Sequence, residues 1–152
     1  MKLRLEIDDS SEEEIVIRAK SLTPEISRLT EGVQDLLERG NALSVRSGGA
    51  ERFINANEIV FAEVMASKTY VHTANDVFVS PLRLHELELI LPRSFAKASK
   101  SCIVNTAKIC SLLRSPTGVG EAGFYGTVKK TYISRMYYKI VRDKTEETRS
   151  IK

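Results

Sequence analysis

A mainly β protein, α+β overall, is what this 152-residue sequence predicts. Three observations predict it. Short apolar stretches recur between polar turns from Ala42 onward, the mark of antiparallel sheets. Only one or two short helices carry helical spacing inside that region. The first 40 residues read instead as a small β-β-α module, too small to bury a core alone. Apolar residues make up 42% and charged residues 28%, too apolar for wholesale disorder. No apolar run approaches the ~20 residues a spanning helix needs.

The module opens with Leu3, Leu5 and Ile7 alternating with Lys2, Arg4 and Glu6, a half-buried strand by its period of two. Charges this close to Met1 do not suit a signal peptide, so a cytoplasmic protein with reduced thiols is expected. Asp8-Asp9-Ser10-Ser11 is a turn cluster. Ile15-Val16-Ile17 reads as a second strand, although Glu12-Glu13-Glu14 could equally open a helix. Thr23 can accept from the first free amides of a helix, Pro24 suits its first position, and Glu25 suits its positive end. Ile26, Leu29, Val33 and Leu36/Leu37 recur at helical spacing, and Gly40 can close the helix.

The β region starts with Leu43-Ser44-Val45-Arg46, the turn Ser47-Gly48-Gly49 and a return strand through Phe53-Ile54. Ile59 to Val64 is a strand, Lys68-Thr69 a turn, Tyr70 to Thr73 a strand. Asn75-Asp76 turns into Val77-Phe78-Val79. Leu84, Leu87 and Leu91 place a helix between Pro81 and Pro92. Phe95, Cys102 to Val104 and Ile109 to Leu113 are extended, Gly118 to Gly123 is a loop, and 124–134 holds two more short strands. A short helix over Tyr137 to Val141 ends the domain, and the charged tail 143–152 is expected to fray. The organisation is therefore 1–40, 41–142 and 143–152, with no internal repeat.

The net charge of +3 is unevenly spread. Residues 1–40 carry 6 basic and 10 acidic side chains, 41–92 carry 4 and 6, and 93–152 carry 13 and 4. The last part thus has a net +9, which suits a polyanion.

Several of these stretches share an order with a known family. They are Glu58 to Glu63, Tyr70 to Thr73, Leu84 to Glu88, Leu91-Pro92, Phe95, Lys100 to Asn105 with Ile109, Phe124 to Thr127, and Tyr132 to Arg135 with Tyr137. Together they resemble the LytTR-type DNA-binding domain of bacterial transcription regulators. Residues 1–40 resemble those of stand-alone LytTR regulators, which lack a receiver domain. The resemblance implies elongated stacked antiparallel sheets. It also implies that loops, not a recognition helix, enter successive major grooves of double-stranded DNA. The family's contact positions carry over onto Ser67-Lys68-Thr69, Ser99-Lys100-Ser101 and Ser134-Arg135. Many relatives have His-Arg where this chain has Ser99-Lys100, and lysine lacks arginine's planar fork. A phosphate contact is therefore favoured there. The resemblance further implies a homodimer on paired sites and a small membrane-protein inhibitor docking on residues 1–40.

Arg135 carries the strongest chemistry, because a guanidinium can bond both O6 and N7 of guanine. Ser99 and Ser101 flank Lys100 with hydroxyls that can meet phosphate. Lys97 lies just before them, and Lys129-Lys130 precedes the Arg135 strand. The bland alternatives are a solvated turn for each lysine and an ion pair of Arg135 with Glu121 or Asp143. Asn105 reads as structural. His72 has no ligand at metal spacing, and His85 with Glu88 makes an incomplete metal site. Cys102 and Cys110 read as inert core thiols. Gly118, Gly120 and Gly123 lack the Walker spacing. No nucleophile-plus-base pattern appears, so no enzyme, metal or cofactor is expected. Two classes remain: a sequence-specific DNA-binding transcription regulator, or a protein-interaction module with a basic face for an acidic or membrane-protein partner.

Overall fold

Antiparallel pairing organises the chain from Ala42 to Ile133 in the computed structural model, which describes residues 2, 4–7, 10, 14–39 and 42–150. The chain divides into two units, Met1–Leu36 and Leu37–Lys152, four residues before the expected boundary at 40.

In the first unit the helix forms as its signals require. α1 spans Pro24–Arg39. The Ile26 amide donates to Thr23 Oγ1 at 3.2 Å and the Ser27 amide to the Thr23 carbonyl at 2.9 Å. The two expected strands do not form among the described residues: Arg4 to Ile7 and Glu14 to Ala19 carry no regular structure. A strand is stable only when paired, and an isolated hairpin is marginal in water. Leu3, the Asp8-Asp9 turn, Ser11 to Glu13 and the Gly40 helix stop lie outside the described residues.

The second unit holds two sheets. In chain order its elements are β1 Ala42–Ser47, β2 Ala50–Asn55, β3 Ile59–Met65, β4 Lys68–Thr73 and β5 Val77–Ser80. Then come α2 Leu84–Ile90, β6 Phe95–Ser99, β7 Cys102–Asn105, β8 Ile109–Arg114, β9 Gly120–Phe124, β10 Lys130–Ile133 and α3 Arg135–Ser150. The large sheet has the order β2-β1-β5-β4-β3-β7-β6, the small one β10-β9-β8. Every pairing is antiparallel.

β3 is the hinge of the packing. Its run Ile59-Val60-Phe61-Ala62 is buried throughout, as a strand covered on both faces must be. Ile59 and Ala62 join a core with Val71, Phe78, Ile103 and Leu87 of α2. Val60 and Phe61 join a second core with Val104, Phe124, Ile133, Tyr138 and Val141, where the small sheet and α3 pack. The pairing register shifts between Ile59 and Phe61, which breaks the simple alternation of faces.

Three sequence expectations change here. Gly120 to Gly123 belong to β9, because an added Cβ at Gly120 would lie 2.3 Å from the Tyr138 ring, and glycine lets sheet and helix approach. Arg135 opens a helix; it does not lie in a strand. The residues expected to fray from Asp143 continue that helix to Ser150. They are held because Thr145 is buried, Lys144 Nζ donates to the Phe95 carbonyl at 3.0 Å, and Thr148 meets Thr106 at 3.2 Å. The Lys144 bond also satisfies a carbonyl of β6, an edge strand of the large sheet.

Candidate nucleic-acid interface

Two hairpin turns sit side by side because their strands are paired. β3 runs into the β3–β4 turn, β7 leaves the β6–β7 turn, and β3 pairs with β7 up to Glu63↔Cys102. The ladder continues one step further, with the Val64 amide bonding the Ser101 carbonyl at 2.9 Å. The start of α3 joins them through the Ser134 amide, which bonds the Ala98 carbonyl at 2.8 Å. A third turn, between β8 and β9, closes the group: a Cβ at Gly118 would lie 2.9 Å from Arg135 Cδ. The backbone thus brings together the three stretches singled out in the sequence.

The β3–β4 turn is made by Ala66 and Ser67, both left-handed with φ 49° and 65°. Two positive φ values suit the twist of a two-residue hairpin but cost of order 1 kcal/mol or more each without glycine. Lys68 and Thr69, expected in the turn, are the first residues of β4. Lys68 is exposed, whereas Thr69 is buried and cannot reach a ligand as placed. In the β6–β7 turn, Ser99 Oγ accepts from the Ser101 amide at 3.2 Å and lies 3.5 Å from Ser101 Oγ. The two hydroxyls brace the turn and leave Lys100 exposed at its tip. Ser134 caps α3 through its carbonyl, which accepts from Tyr137 and Tyr138 at 3.1 and 3.0 Å. Its hydroxyl is buried without a hydrogen-bond partner among the described residues.

Arg135 is exposed and forms no ion pair among the described residues. Glu121, the partner a bland reading would give it, is taken by Lys130 at 3.4 Å. Lys68 and Lys100 are likewise without an ion pair among the described residues. Arg114 was missed in the sequence, where it directly follows the extended run Ile109 to Leu113. It is exposed, pairs with Gly120 across the ladder and holds its guanidinium over the Tyr138 ring at 4.9 Å. A cation just before the turn-forming Ser115-Pro116-Thr117-Gly118 was the available signal.

Three of the predicted lysines are engaged elsewhere. Lys97, on β6, lies 3.8 Å from Glu88 of α2. Lys130 has Glu121. Lys129 is at the other end of β4: its ammonium donates to the Asp76 carbonyl at 2.6 Å and lies 3.4 Å from His72 Nδ1. His72 Nε2 is 3.0 Å from Glu63 Oε1, and the ring stacks on Phe61 at 4.2 Å. Burial, then the Lys129 charge, hold the His72 pKa below its usual value, against the pull of Glu63. Burial also lowers the Lys129 pKa, with Asp76 opposing. The sequence reading gave His72 no partner because Glu63 is its neighbour across the sheet, not along the chain.

The remaining readings divide. Asn105 is structural: its Nδ2 donates to the Ile59 carbonyl at 2.9 Å and its Oδ1 accepts from the Ala107 amide at 3.1 Å. Cys102 is buried, and burial pushes its thiol up to about 11. Cys110 is exposed on the edge strand β8, contrary to a core placement. Among the described residues no group of three metal-ligating side chains occurs, and no helix is long and apolar enough to cross a membrane.

Residues 50–146 match the family of LytTr DNA-binding domains. A protein of Staphylococcus aureus strain NCTC 8325 / PS 47, described as an uncharacterized HTH-type transcriptional regulator, is 31% identical over 145 residues, 95% of this chain and 97% of its own. Its counterpart in the bovine strain RF122 / ET3-1 is 30% identical over the same length. The solved LytTr DNA-binding domain of a protein from Bacillus cereus, described as a methyl-accepting/DNA response regulator, superposes with a TM-score of 0.63 at 19% identity. It covers 68% of this chain and 95% of its own. The relatives' names specify a helix-turn-helix, yet among the described residues no two α-helices are consecutive in this chain.

Proposed function

This chain belongs to the LytTR family of DNA-binding domains, and from that premise we propose that it is a sequence-specific transcription regulator. It reads successive major grooves of double-stranded DNA through the three turns gathered beside the start of α3. The observation that carries this is the convergence, through the Val64–Ser101 and Ser134–Ala98 bonds, of Lys68, Lys100 and Arg135 with no carboxylate paired to any of them among the described residues. Unpaired cations on braced turns can bond phosphate and base edges without first breaking protein contacts. In this reading Arg135 meets a base edge, Lys100 and Lys68 meet phosphates, and Arg114 flanks them. Thr69, Ser99, Ser101 and Ser134 shape the turns. Lys97, Lys129 and Lys130 serve the protein's own packing. Selection of bound fragments from genomic DNA, followed by titration on the selected and scrambled sites, is the test. Equal affinity for both would sink the sequence-specific reading.

The protein acts in the cytoplasm, as a homodimer on paired sites, with residues 1–40 as the dimerisation module. Support comes from that segment's net −4 charge, which does not suit DNA, and from its exposed Leu5, Ile7 and Leu36. A small membrane-protein inhibitor would compete for the same surface. Deleting residues 1–40 is expected to leave half-site binding intact and to abolish the gain on a double site, which comes from effective concentration. Light scattering with one-site and two-site titrations reads both. A truncated chain that keeps the two-site gain would remove the module from the dimer.

A further inference from the structure

Gly118, in the turn between β8 and β9, lies against the aliphatic stem of Arg135. A Cβ on Gly118 would lie 2.9 Å from Arg135 Cδ, 3.0 Å from Cγ and 3.8 Å from Cβ. The bare glycine Cα is therefore a wall along the methylene chain of that arginine. A φ of +91° is a second reason for glycine, since other residues rarely adopt it. The wall is held from two sides. Within the turn the Gly118 amide donates to the Ser115 carbonyl at 2.9 Å and the Ser115 amide to the Val119 carbonyl at 2.9 Å. Ser115 Oγ lies 2.6 Å from Thr117 Oγ1. Two residues further on, Gly120 approaches the Tyr138 ring so closely that any side chain there would strike it. Tyr138 lies three residues after Arg135 on α3, and the same ring carries the Arg114 guanidinium at 4.9 Å. Turn and helix are thus locked together at Gly120 and Tyr138, and Gly118 meets Arg135 at a fixed spacing.

We infer that Gly118 is a positioning residue that sets how Arg135 is presented, and so helps to determine which DNA sequence the protein selects. The inference rests on the base-edge role given to Arg135 above. An arginine side chain has many rotamers, and a bidentate contact with a base edge uses few of them. A wall against Cγ and Cδ removes the rotamers that would cross it, so less freedom is lost on binding. Phosphate contacts carry no sequence information and do not need that one orientation of the fork. The wall therefore acts on discrimination between sequences and little on general affinity.

Titration of the full chain on the selected cognate duplex and on a scrambled one tests this, with thermal unfolding to confirm that each variant folds. Gly118→Ala is expected to lower the ratio of cognate to scrambled affinity at least about fivefold, the low end of what a bidentate base contact discriminates. Affinity for scrambled DNA and its salt slope stay at the parent's values. Gly118→Asn brings the same Cβ on a residue that better tolerates a left-handed backbone, and is expected to lower the ratio as much. Gly126→Ala controls for backbone strain. Gly126 also has a positive φ, +73°, but an added Cβ meets nothing within 4 Å among the described residues, so the ratio is expected to hold. In an Arg135→Ala background, Gly118→Ala is expected to change the ratio no further, because both substitutions act through one contact. An unchanged ratio in both Gly118 variants, or a full further loss in the Arg135→Ala background, overturns the positioning role and leaves base reading by Arg135 standing. A Gly126→Ala variant that loses as much as Gly118→Ala assigns the effect to strain and overturns it too. If Arg135→Ala alone leaves the ratio unchanged, base reading by Arg135 fails and the positioning role fails with it.

Discussion

Lys100 and Lys129 are both lysines beside short strands in the basic part of the chain, and they end in opposite situations. Lys100 stands at the tip of the β6–β7 turn, exposed and without an ion pair among the described residues. Lys129 is tied to the Asp76 carbonyl and to His72. Lys100 would meet a phosphate at the cost of its own side-chain freedom alone. Lys129 would first have to give up a charge-assisted hydrogen bond and leave a carbonyl bare. The net +9 of residues 93–152 therefore does not locate a site. In the proposed reading, what locates it is which cations have no ion pair among the described residues on one braced group of turns.

The contrast can be broken most directly at Arg135. Arg135→Ala is expected to cost ~1–3 kcal/mol on the cognate site and little on scrambled DNA, as loss of a bidentate base contact does. Competitive titration on the two duplexes measures it. Equal losses would reduce Arg135 to a phosphate contact. The opposite end should respond in another currency. Lys129→Ala is expected to lower folding stability by about 1 kcal/mol or less, since the bond is charge-assisted but partly exposed. Its DNA affinity and salt dependence should match the parent. Denaturant unfolding beside a salt series separates the two, and a flattened salt slope would move Lys129 onto the DNA face.

Much of this was legible in the sequence. The alternating run Leu43 to Arg46, the Thr23-Pro24 helix start and the Leu84-Leu87-Leu91 helix formed where local chemistry put them, whereas the alternating residues Arg4 to Ile7 did not. What was not legible depends on contacts across the fold. Ala66-Ser67 lacks the Asn-Gly signature of a tight hairpin, so the turn was placed two residues late. The charged helix after Asp143 looked frayed because its anchors, Phe95 and Thr106, are distant in sequence. Asn55 and Asn105 each accept from an amide two residues on and are each followed by a single 3₁₀ turn and an isoleucine. That local device occurs twice, yet a search for longer repeats overlooks it. The site residues divided on the same ground. Exposure was readable for Lys68, Lys100, Lys130 and Arg135 but not for the buried Thr69 or the exposed Cys110, and whether a cation already had a partner across a sheet was not readable.

Lys68 and Lys100 sharpen the comparison through salt. Each neutralised phosphate contributes roughly −0.9 to the slope of log K against log salt. Lys100→Ala is expected to make the slope shallower by about that amount, on cognate and scrambled DNA alike. Over a fourfold rise in salt the parent then loses about three- to fourfold more affinity than the variant. Lys68→Ala should behave the same way, and Lys97→Ala, whose ammonium faces Glu88, should not. If Lys97→Ala flattens the slope and Lys100→Ala leaves it unchanged, the unpaired-cation criterion is wrong.

The last effect, one of pH, belongs to His72, and its sign follows from a latch formed by Glu63, His72 and Lys129. The tautomer with hydrogen on Nε2 donates to Glu63, while its bare Nδ1 faces the Lys129 ammonium. Protonation would set a second N–H against that ammonium, inside a stack with Phe61. Burial and Lys129 accordingly keep the ring neutral in the fold to lower pH than in the unfolded chain. The unfolded chain then binds more protons than the fold as pH drops below the ordinary value near 6.5, so stability falls with falling pH until the folded ring titrates. One group contributes a slope of at most about 1.4 kcal/mol per pH unit. Urea unfolding from pH 7.5 to 5 should show that decline in the parent, and His72→Gln should lack it. Binding to the cognate site at pH 7.5 should be the same for both, because the latch lies at the far end of β4 from the turns. A variant that keeps the full decline would place the titrating group elsewhere, and one that loses affinity at pH 7.5 would couple the two ends that the structure keeps apart.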